Sequence, residues 1–155
     1  MPITPYHFGP GAAIHSMAPR RISFLAFCVA NVLTDVEPLY HILRHQHPIH
    51  GFFHTYLGAT VTAAVTVAGF AAARVPRPNL RLGPVAVGAL IGTWSHVLLD
   101  SLMASDVHPL APFTDANPLL DAIPYEMLIA GCVISGGAGL ILLAARRLVR
   151  REGPR

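Results

Sequence analysis

The chain has 155 residues and a net charge of +3, and 53% of its residues are apolar while only 12% carry a formal charge. Its mean hydropathy of +0.51 is too high for a soluble globular protein, so the composition excludes that class and indicates a membrane protein. All 11 basic residues are arginines that lie between or after apolar runs. This placement favours a role in membrane topology and predicts no nucleic-acid partner.

Residues 1–35 are predicted to form a short helical hairpin that turns at positions 19–21 and returns Asp35 to the level of His7. Each arm would span only about 20 Å, which is short of the roughly 30 Å hydrocarbon core of a bilayer. The hairpin is therefore expected to be re-entrant or to lie in a locally thinned region of the membrane.

The hexapeptide RRISFL at positions 20–25 resembles a twin-arginine export signal. The apolar run behind it leads into Asn31, Asp35 and Glu37 without a small-x-small cleavage site. We therefore expect this segment to be retained in the mature protein.

Residues 36–53 are predicted to form a connecting loop that is rich in histidine. Most histidines in such loops are solvated, so only His50 is taken as a candidate metal ligand from this loop. His50 stands four residues before His54, and both imidazoles would point to the same side if the following helix began early.

Three later segments are long and apolar enough to cross a membrane, namely 54–74, 82–103 and 126–148. The outer loop between the last two, 104–125, contains no arginine. By the positive-inside rule, the arginines at 20–21, at 74–81 and in the C-terminal tail are cytoplasmic. The predicted fold is all-α, a polytopic membrane helix bundle with three full spans plus the short N-terminal hairpin, in a single integral membrane domain over residues 1–155.

This topology gathers most ionisable residues other than arginine at the outer end of the bundle. His96 and Asp100 lie four residues apart, so a helix would place them on one face, either as a hydrogen-bonded pair or as two ligands of a metal ion. Such groups are costly to bury in apolar surroundings unless they are paired or bind a cation. The candidate metal ligands are His7, Asp35, His50, His54, His96, Asp100 and His108.

Imidazoles combined with carboxylates favour one or two divalent ions, most readily Zn²⁺, with Mn²⁺ or Fe²⁺ as alternatives. A metal with an open coordination position lowers the pKa of bound water towards about 7, so we predict hydrolysis of an ester, in the first place a phosphoester. Glu37 and Asp115 are the candidate general bases, and the sequence does not choose between them. A site at the outer, periplasmic boundary of the bacterial inner membrane favours a membrane lipid or another amphiphilic small molecule as substrate.

Three segments, VLTDVEP, HGFFHTYLGA and GALIGTWSHVLLDSLM, resemble the bacterial membrane-bound predicted metal-dependent hydrolases, an inner-membrane family associated with LexA. The resemblance extends to about Pro118 and implies a metal-dependent hydrolase. The site residues it implies are Asp35, His54, His96 and Asp100. The chain departs from the family pattern Asp-x-Asp-His at Glu37 and Pro38, and it has His50 where the family has arginine.

A second resemblance concerns the order of the ligands. The order His, Asp, His, His-x-x-x-Asp and His is similar to that of zinc-dependent phospholipase C and single-strand nucleases, in which the carboxylate of the His-x-x-x-Asp helix bridges two zinc ions. By this analogy a first ion would be held by Asp35, His54, His96 and Asp100. Asp100 and His7 would hold a second ion, and His108 would assist with a third. The chain lacks the further downstream His-x-x-x-Glu/Asp of that class, so we predict one or two ions.

Two other classes of protein stay open. In a metal-binding or transport protein, ionisable residues should continue through the membrane, whereas here they cluster at one end. In a structural or regulatory membrane protein, the His and Asp residues would form hydrogen-bonded pairs, and the purified protein would hold no stoichiometric metal. The sequence does not indicate an oligomeric state.

Overall fold

The computed structural model describes residues 4–73 and 80–152, and this part of the chain is helical without strands, as predicted. The six α-helices of this part are α1 (Phe8–Met17), α2 (Phe24–Thr34), α3 (Val36–Leu43), α4 (Tyr56–Ala73), α5 (Leu82–Ser101) and α6 (Tyr125–Glu152). Two short 3-10 helices cover Thr4–His7 and Phe52–His54. The predicted cytoplasmic connection at 74–79 lies outside the described residues.

The N-terminal hairpin consists of α1 and α2, which have 10 and 11 residues and are therefore each about 15 Å long. The turn between them ends at Ser23, whose hydroxyl caps α2 by accepting a hydrogen bond from the backbone N–H of Ala26 at 3.2 Å. The two arms do not pack mainly on each other. Instead α1 packs along α6, and α2 packs along α5 and contacts α4.

Within the described residues, three helices are long and apolar enough to cross a membrane: Tyr56–Ala73, Leu82–Ser101 and Tyr125–Val149. They correspond to the three predicted spans. Ala30, Ala63 and Ala89 meet in a buried cluster where α2, α4 and α5 pack together. Small residues allow close approach of helix backbones, which is how helices commonly associate in a membrane.

The predicted loop at 36–53 was partly wrong, because its first half forms α3. Asp35 ends α2 and also precedes α3, and its carbonyl accepts the first hydrogen bond of α3 from the N–H of Leu39 at 3.0 Å. Pro38 does not prevent this helix, because residues in the first turn have no intrahelical partner for their N–H groups. The helix after His54 does not begin early either, since α4 starts at Tyr56.

Residues 102–124 connect α5 to α6 without an α-helix and fold back over the start of α4 and the end of α5. The carbonyl of Pro109 accepts a hydrogen bond from the N–H of Tyr56 at 2.9 Å, and the side chain of Asn117 donates to the carbonyl of Ser101 at 2.9 Å. These contacts fix the outer loop next to the segment that contains His54.

Candidate functional site

Four of the predicted metal ligands meet at one end of the helices α2, α4 and α5. Asp35 follows the last residue of α2, and His54 ends the 3-10 helix that precedes α4. His96 and Asp100 lie in the last turns of α5, four residues apart on one face. We call these four residues the His/Asp cluster.

The ligand atoms of the His/Asp cluster all lie within 4.8 Å of one another, so the group could hold a metal ion. The Oδ2 atom of Asp100 is 3.2 Å from Nε2 of His54 and 3.2 Å from Nε2 of His96. The Oδ1 atom of Asp35 is 3.1 Å from Nε2 of His96 and 3.8 Å from Nε2 of His54. Two ring nitrogens and two carboxylate oxygens therefore face one common point.

The tautomer of His96 follows from its neighbour on α2. Nδ1 of His96 lies 3.0 Å from Oδ1 of Asn31, and the amide nitrogen of Asn31 donates to the carbonyl of Phe27 at 2.9 Å. Because the Asn31 oxygen can only accept, Nδ1 of His96 carries the proton, and Nε2 of the neutral ring presents a lone pair to the cluster. A Cβ atom on Gly92 would lie 2.8 Å from the carbonyl oxygen of Phe27, so the glycine permits this close approach of α2 to α5.

Within the cluster, Nε2 of His96 faces only Nε2 of His54, at 3.2 Å, and the two carboxylates. The His54 and His96 side chains are completely buried and Asp100 is nearly so, whereas the side chain of Asp35 is 30% exposed. Buried groups of this kind are stabilised either by protonation of an imidazole or by a cation between them. The side of the cluster formed by Asp35 is the one that remains open.

His7 also reaches this cluster, from the 3-10 helix that precedes α1. Its Nε2 atom is 3.4 Å from Oδ1 of Asp100. His54 and His96 contact the other carboxylate oxygen of Asp100, Oδ2. The ring is 2% exposed, and neither of its nitrogens has a hydrogen-bond partner among the described residues. A buried imidazole whose polar contact is one long approach to a carboxylate, without a hydrogen bond, is uncommon in a folded protein and requires an explanation.

His50, another predicted ligand, lies beside the cluster and not within it. Its Nδ1 atom is 2.7 Å from Oδ1 of Asp106, and its ring centroid is 4.6 Å from that of His54. The other carboxylate oxygen of Asp106 accepts hydrogen bonds from the N–H groups of Ile49 and His50 at 2.9 and 3.1 Å. Partial burial of Asp106 opposes ionisation, but the hydrogen bonds from the His50 ring and from the two N–H groups hold the pKa of this carboxyl below its usual value.

Glu37, a predicted general base, uses both carboxylate oxygens to accept backbone hydrogen bonds. The donors are the N–H groups of Phe52 and Phe53, at 3.0 and 2.8 Å. Glu37 therefore holds the start of the 3-10 helix that ends at His54. These contacts give it a positioning role, and its role as a general base stays a prediction.

The remaining predicted residues, His108 and Asp115, lie together in the outer loop. Nδ1 of His108 is 2.6 Å from the backbone carbonyl oxygen of Asp115. Asp115 is exposed, and neither residue belongs to the His/Asp cluster.

The family model described as YdjM inner membrane protein matches residues 3–151. The chain belongs to the YdjM inner membrane protein family. No curated protein and no solved structure shows a significant match to it. Membership of this family, together with the three spanning helices, makes the chain an integral inner-membrane protein. The resemblance to an inner-membrane family is thus confirmed, while hydrolysis and the phospholipase-like ligand order stay predictions.

Two residues of the site were missed in the sequence, Asn31 and Asp106. Asn31 carried a signal that could have been used, because an amide in the middle of an apolar helix usually has a buried partner. Asp106 carried none, since its pairing with His50 joins residues 56 positions apart through the fold of the outer loop.

Proposed function

We propose that this protein is a membrane-embedded, metal-dependent hydrolase whose metal is held by the His/Asp cluster. The observation that carries the proposal is the convergence of two imidazole nitrogens and two carboxylate oxygens within 4.8 Å at a largely buried site. The two carboxylates would balance the charge of one divalent cation. This balance would remove most of the cost of burying them.

The donor set favours Zn²⁺, with Mn²⁺ or Fe²⁺ as alternatives. His96 supports this assignment, because Asn31 fixes the tautomer in which Nε2 is free to bind, as a ligand's hydrogen-bond partner commonly does. The His7 ring, which is buried without a hydrogen bond and lies 3.4 Å from the Asp100 carboxylate, suggests a second ion that His7 and Asp100 would hold.

A divalent cation at this site would act as a Lewis acid and lower the pKa of a water molecule, which supports hydrolysis of an ester. The protein contributes an enclosed site with one open side, at Asp35, from which a substrate would approach. Glu37 and Asp115 are the candidates for accepting a proton from this water molecule.

The position of the site favours an amphiphilic substrate, in the first place a lipid phosphoester. The cluster lies where α4 begins and α5 ends, and an apolar groove of about 190 Å³ lies beside it. Two of the residues lining this groove, Val36 and Phe53, directly adjoin Asp35 and His54 in sequence. A lipid could therefore keep its acyl chain at membrane depth while its ester reaches the cluster. By the positive-inside rule this end would face the periplasm.

Metal transport fits the described residues less well. In the three spanning helices, the ionisable groups other than arginine lie near the ends, with His96 and Asp100 near one end of α5. A permeant ion needs successive sites across the membrane. If the protein has a structural or regulatory role instead, the His and Asp residues form hydrogen-bonded pairs and bind no metal. Elemental analysis distinguishes this alternative from our proposal.

Elemental analysis of the detergent-purified protein, together with hydrolysis of a generic phosphodiester, tests the proposal. The wild type should contain one or two equivalents of zinc, and His54→Ala should remove both metal and activity. His45→Asn is the matched control, because it also removes an imidazole but at an exposed position with a positive φ of 53°, which asparagine tolerates. A wild type without stoichiometric metal would support the structural alternative, and equal metal loss in both variants would indicate nonspecific binding.

A further inference from the structure

A cavity of about 300 Å³ adjoins the His/Asp cluster on the side of the outer loop. We call it the outer cavity, and its lining includes His50, Phe52, Leu57, His108, Pro112 and Asp115. His50 lines this cavity, and its ring centroid is 4.6 Å from that of His54, which belongs to the cluster. Its size and mostly apolar lining with a few polar groups are typical of sites that bind small organic groups.

The two histidines of the outer cavity are held in the same way. His50 directs Nδ1 to the carboxylate of Asp106 at 2.7 Å, and His108 directs Nδ1 to the carbonyl oxygen of Asp115 at 2.6 Å. Each of these oxygens accepts, so each Nδ1 atom carries a proton. In the neutral ring, Nε2 of both histidines is then a hydrogen-bond acceptor.

The charge of the surrounding segment also favours a ligand that donates hydrogen bonds. Residues 104–125 include three aspartates, among them Asp106 and Asp115, and no arginine. Asp115 lines the outer cavity and Asp106 contacts its His50, so the negative charge near the cavity comes from these two carboxylates. This combination is complementary to a cation that donates hydrogen bonds, and it disfavours a bare anion. Phe52 adds an aromatic ring, to which ammonium groups bind favourably.

An organic cation fits these residues better than a second metal ion does. Among residues 4–73 and 80–152, the only group with the spacing of metal ligands is the His/Asp cluster. His50, His108 and Asp115 do not converge in this way, and they surround a space much larger than an ion.

From these observations we infer that the outer cavity binds the primary ammonium group of a zwitterionic phospholipid headgroup. The phosphate of the same headgroup would then lie towards the His/Asp cluster, and this second part rests on the proposed function. A primary ammonium is preferred to a quaternary one because its N–H groups can donate to Nε2 of the histidines and to Asp115. Phosphatidylethanolamine has such a headgroup, whereas phosphatidylcholine and phosphatidylglycerol do not.

The test measures lipid retention by the metal-containing protein with native mass spectrometry, after equilibration with equal amounts of these three lipids. The wild type should prefer phosphatidylethanolamine. Asp115→Asn removes the charge but keeps the carbonyl that holds His108, and it should reduce this preference roughly tenfold, as expected for loss of a charge-assisted hydrogen bond. Asp121→Asn is the matched control, because it makes the same change at an exposed position of the same loop that does not line the cavity.

Several outcomes would overturn the inference. These are equal retention of the three lipids by the wild type, equal effects of Asp115→Asn and Asp121→Asn, or loss of a bound metal ion from Asp115→Asn with unchanged lipid preference. The last result would make the outer cavity a metal site. Because retention and hydrolysis are measured separately, a lipid preference without any hydrolysis would contradict the proposed function alone. Equal hydrolysis of all three lipids without preferential retention would contradict the headgroup site alone.

Discussion

The two longest helices, α5 and α6, are both apolar enough to span the membrane, but they differ in what surrounds them. In α5, 44% of the apolar stretch is buried by the rest of the protein, and in α6 only 17% is buried. α5 lies against α2 and α4 and carries His96 and Asp100, whereas α6 packs mainly against the short α1. The buried His96 and Asp100 therefore lie on the more enclosed helix, where other protein groups can stabilise them.

The largest expected effect comes from Asp100→Asn on α5. The variant keeps the shape of the side chain but loses a charge that faces His7, His54 and His96. If Asp100 binds metal, the protein should insert normally, lose most of its metal and lose nearly all hydrolysis of a generic phosphodiester. Metal analysis and an activity assay on the same preparation measure this.

The matched change on α6 is Ser135→Ala, which removes a hydroxyl whose hydrogen bond within the described part of the chain goes to the carbonyl of Cys132, at 2.9 Å. It should leave metal content and hydrolysis unchanged. Full metal content and wild-type activity in Asp100→Asn would return the His96 and Asp100 pair to a purely structural role.

A smaller effect on metal binding is expected from Asn31→Ala. This change removes the oxygen that faces Nδ1 of His96 and leaves the ring free to rotate or change tautomer. Loss of such a supporting hydrogen bond typically lowers metal affinity about 10- to 100-fold. Titration with a competing chelator measures the affinity.

Thr34→Val is the control for Asn31→Ala, because it removes another buried polar group of α2 that bonds only to the carbonyl of Ala30, at 3.0 Å. If both variants lower metal affinity to the same degree, the effect arises from packing of α2 and not from the tautomer of His96.

The parts of the molecule that could be predicted are those that depend on a pattern within one segment of the sequence. The three spans follow from the length of apolar chain that a bilayer requires. Costly polar groups stand out at the ends of the apolar segments, namely Asp35, His54, His96 and Asp100. The helix α3 was missed because Pro38 and the histidines were interpreted as loop residues. Contacts that depend on the folded chain, such as the one between His50 and Asp106, leave no pattern along the sequence.

A glycine substitution on α6 should affect the stability of the protein without affecting the His/Asp cluster. A Cβ atom on Gly139 would lie 2.6 Å from backbone atoms of Ala12 and Ala13 on α1, whereas a Cβ atom on Gly137 would meet nothing within 4 Å. Gly139→Ala should therefore destabilise the protein by about 1–3 kcal/mol. Gly137→Ala should be neutral or stabilising by up to about 1 kcal/mol.

Thermal unfolding in detergent measures both glycine variants, and metal content per folded protein should stay at the wild-type value. Equal melting temperatures would show that α1 does not pack against α6 as closely as described. Loss of metal from Gly139→Ala would show that the site depends on α1, which is the element that follows His7.

The smallest expected effect concerns Glu37, because its two possible roles predict different outcomes for Glu37→Gln. Glutamine has one carbonyl oxygen, so it can accept from the N–H of Phe52 or of Phe53 but not well from both. In the positioning role, the 3-10 helix before His54 loosens, and metal affinity falls roughly threefold to tenfold, as for one lost charge-assisted hydrogen bond. In this role kcat at saturating metal stays within about twofold, because no proton transfer is removed. A general base instead predicts unchanged metal affinity and a fall in kcat of roughly 100-fold or more. We expect the first outcome, since both carboxylate oxygens already accept backbone hydrogen bonds, and kcat measured at full metal occupancy decides between the two roles.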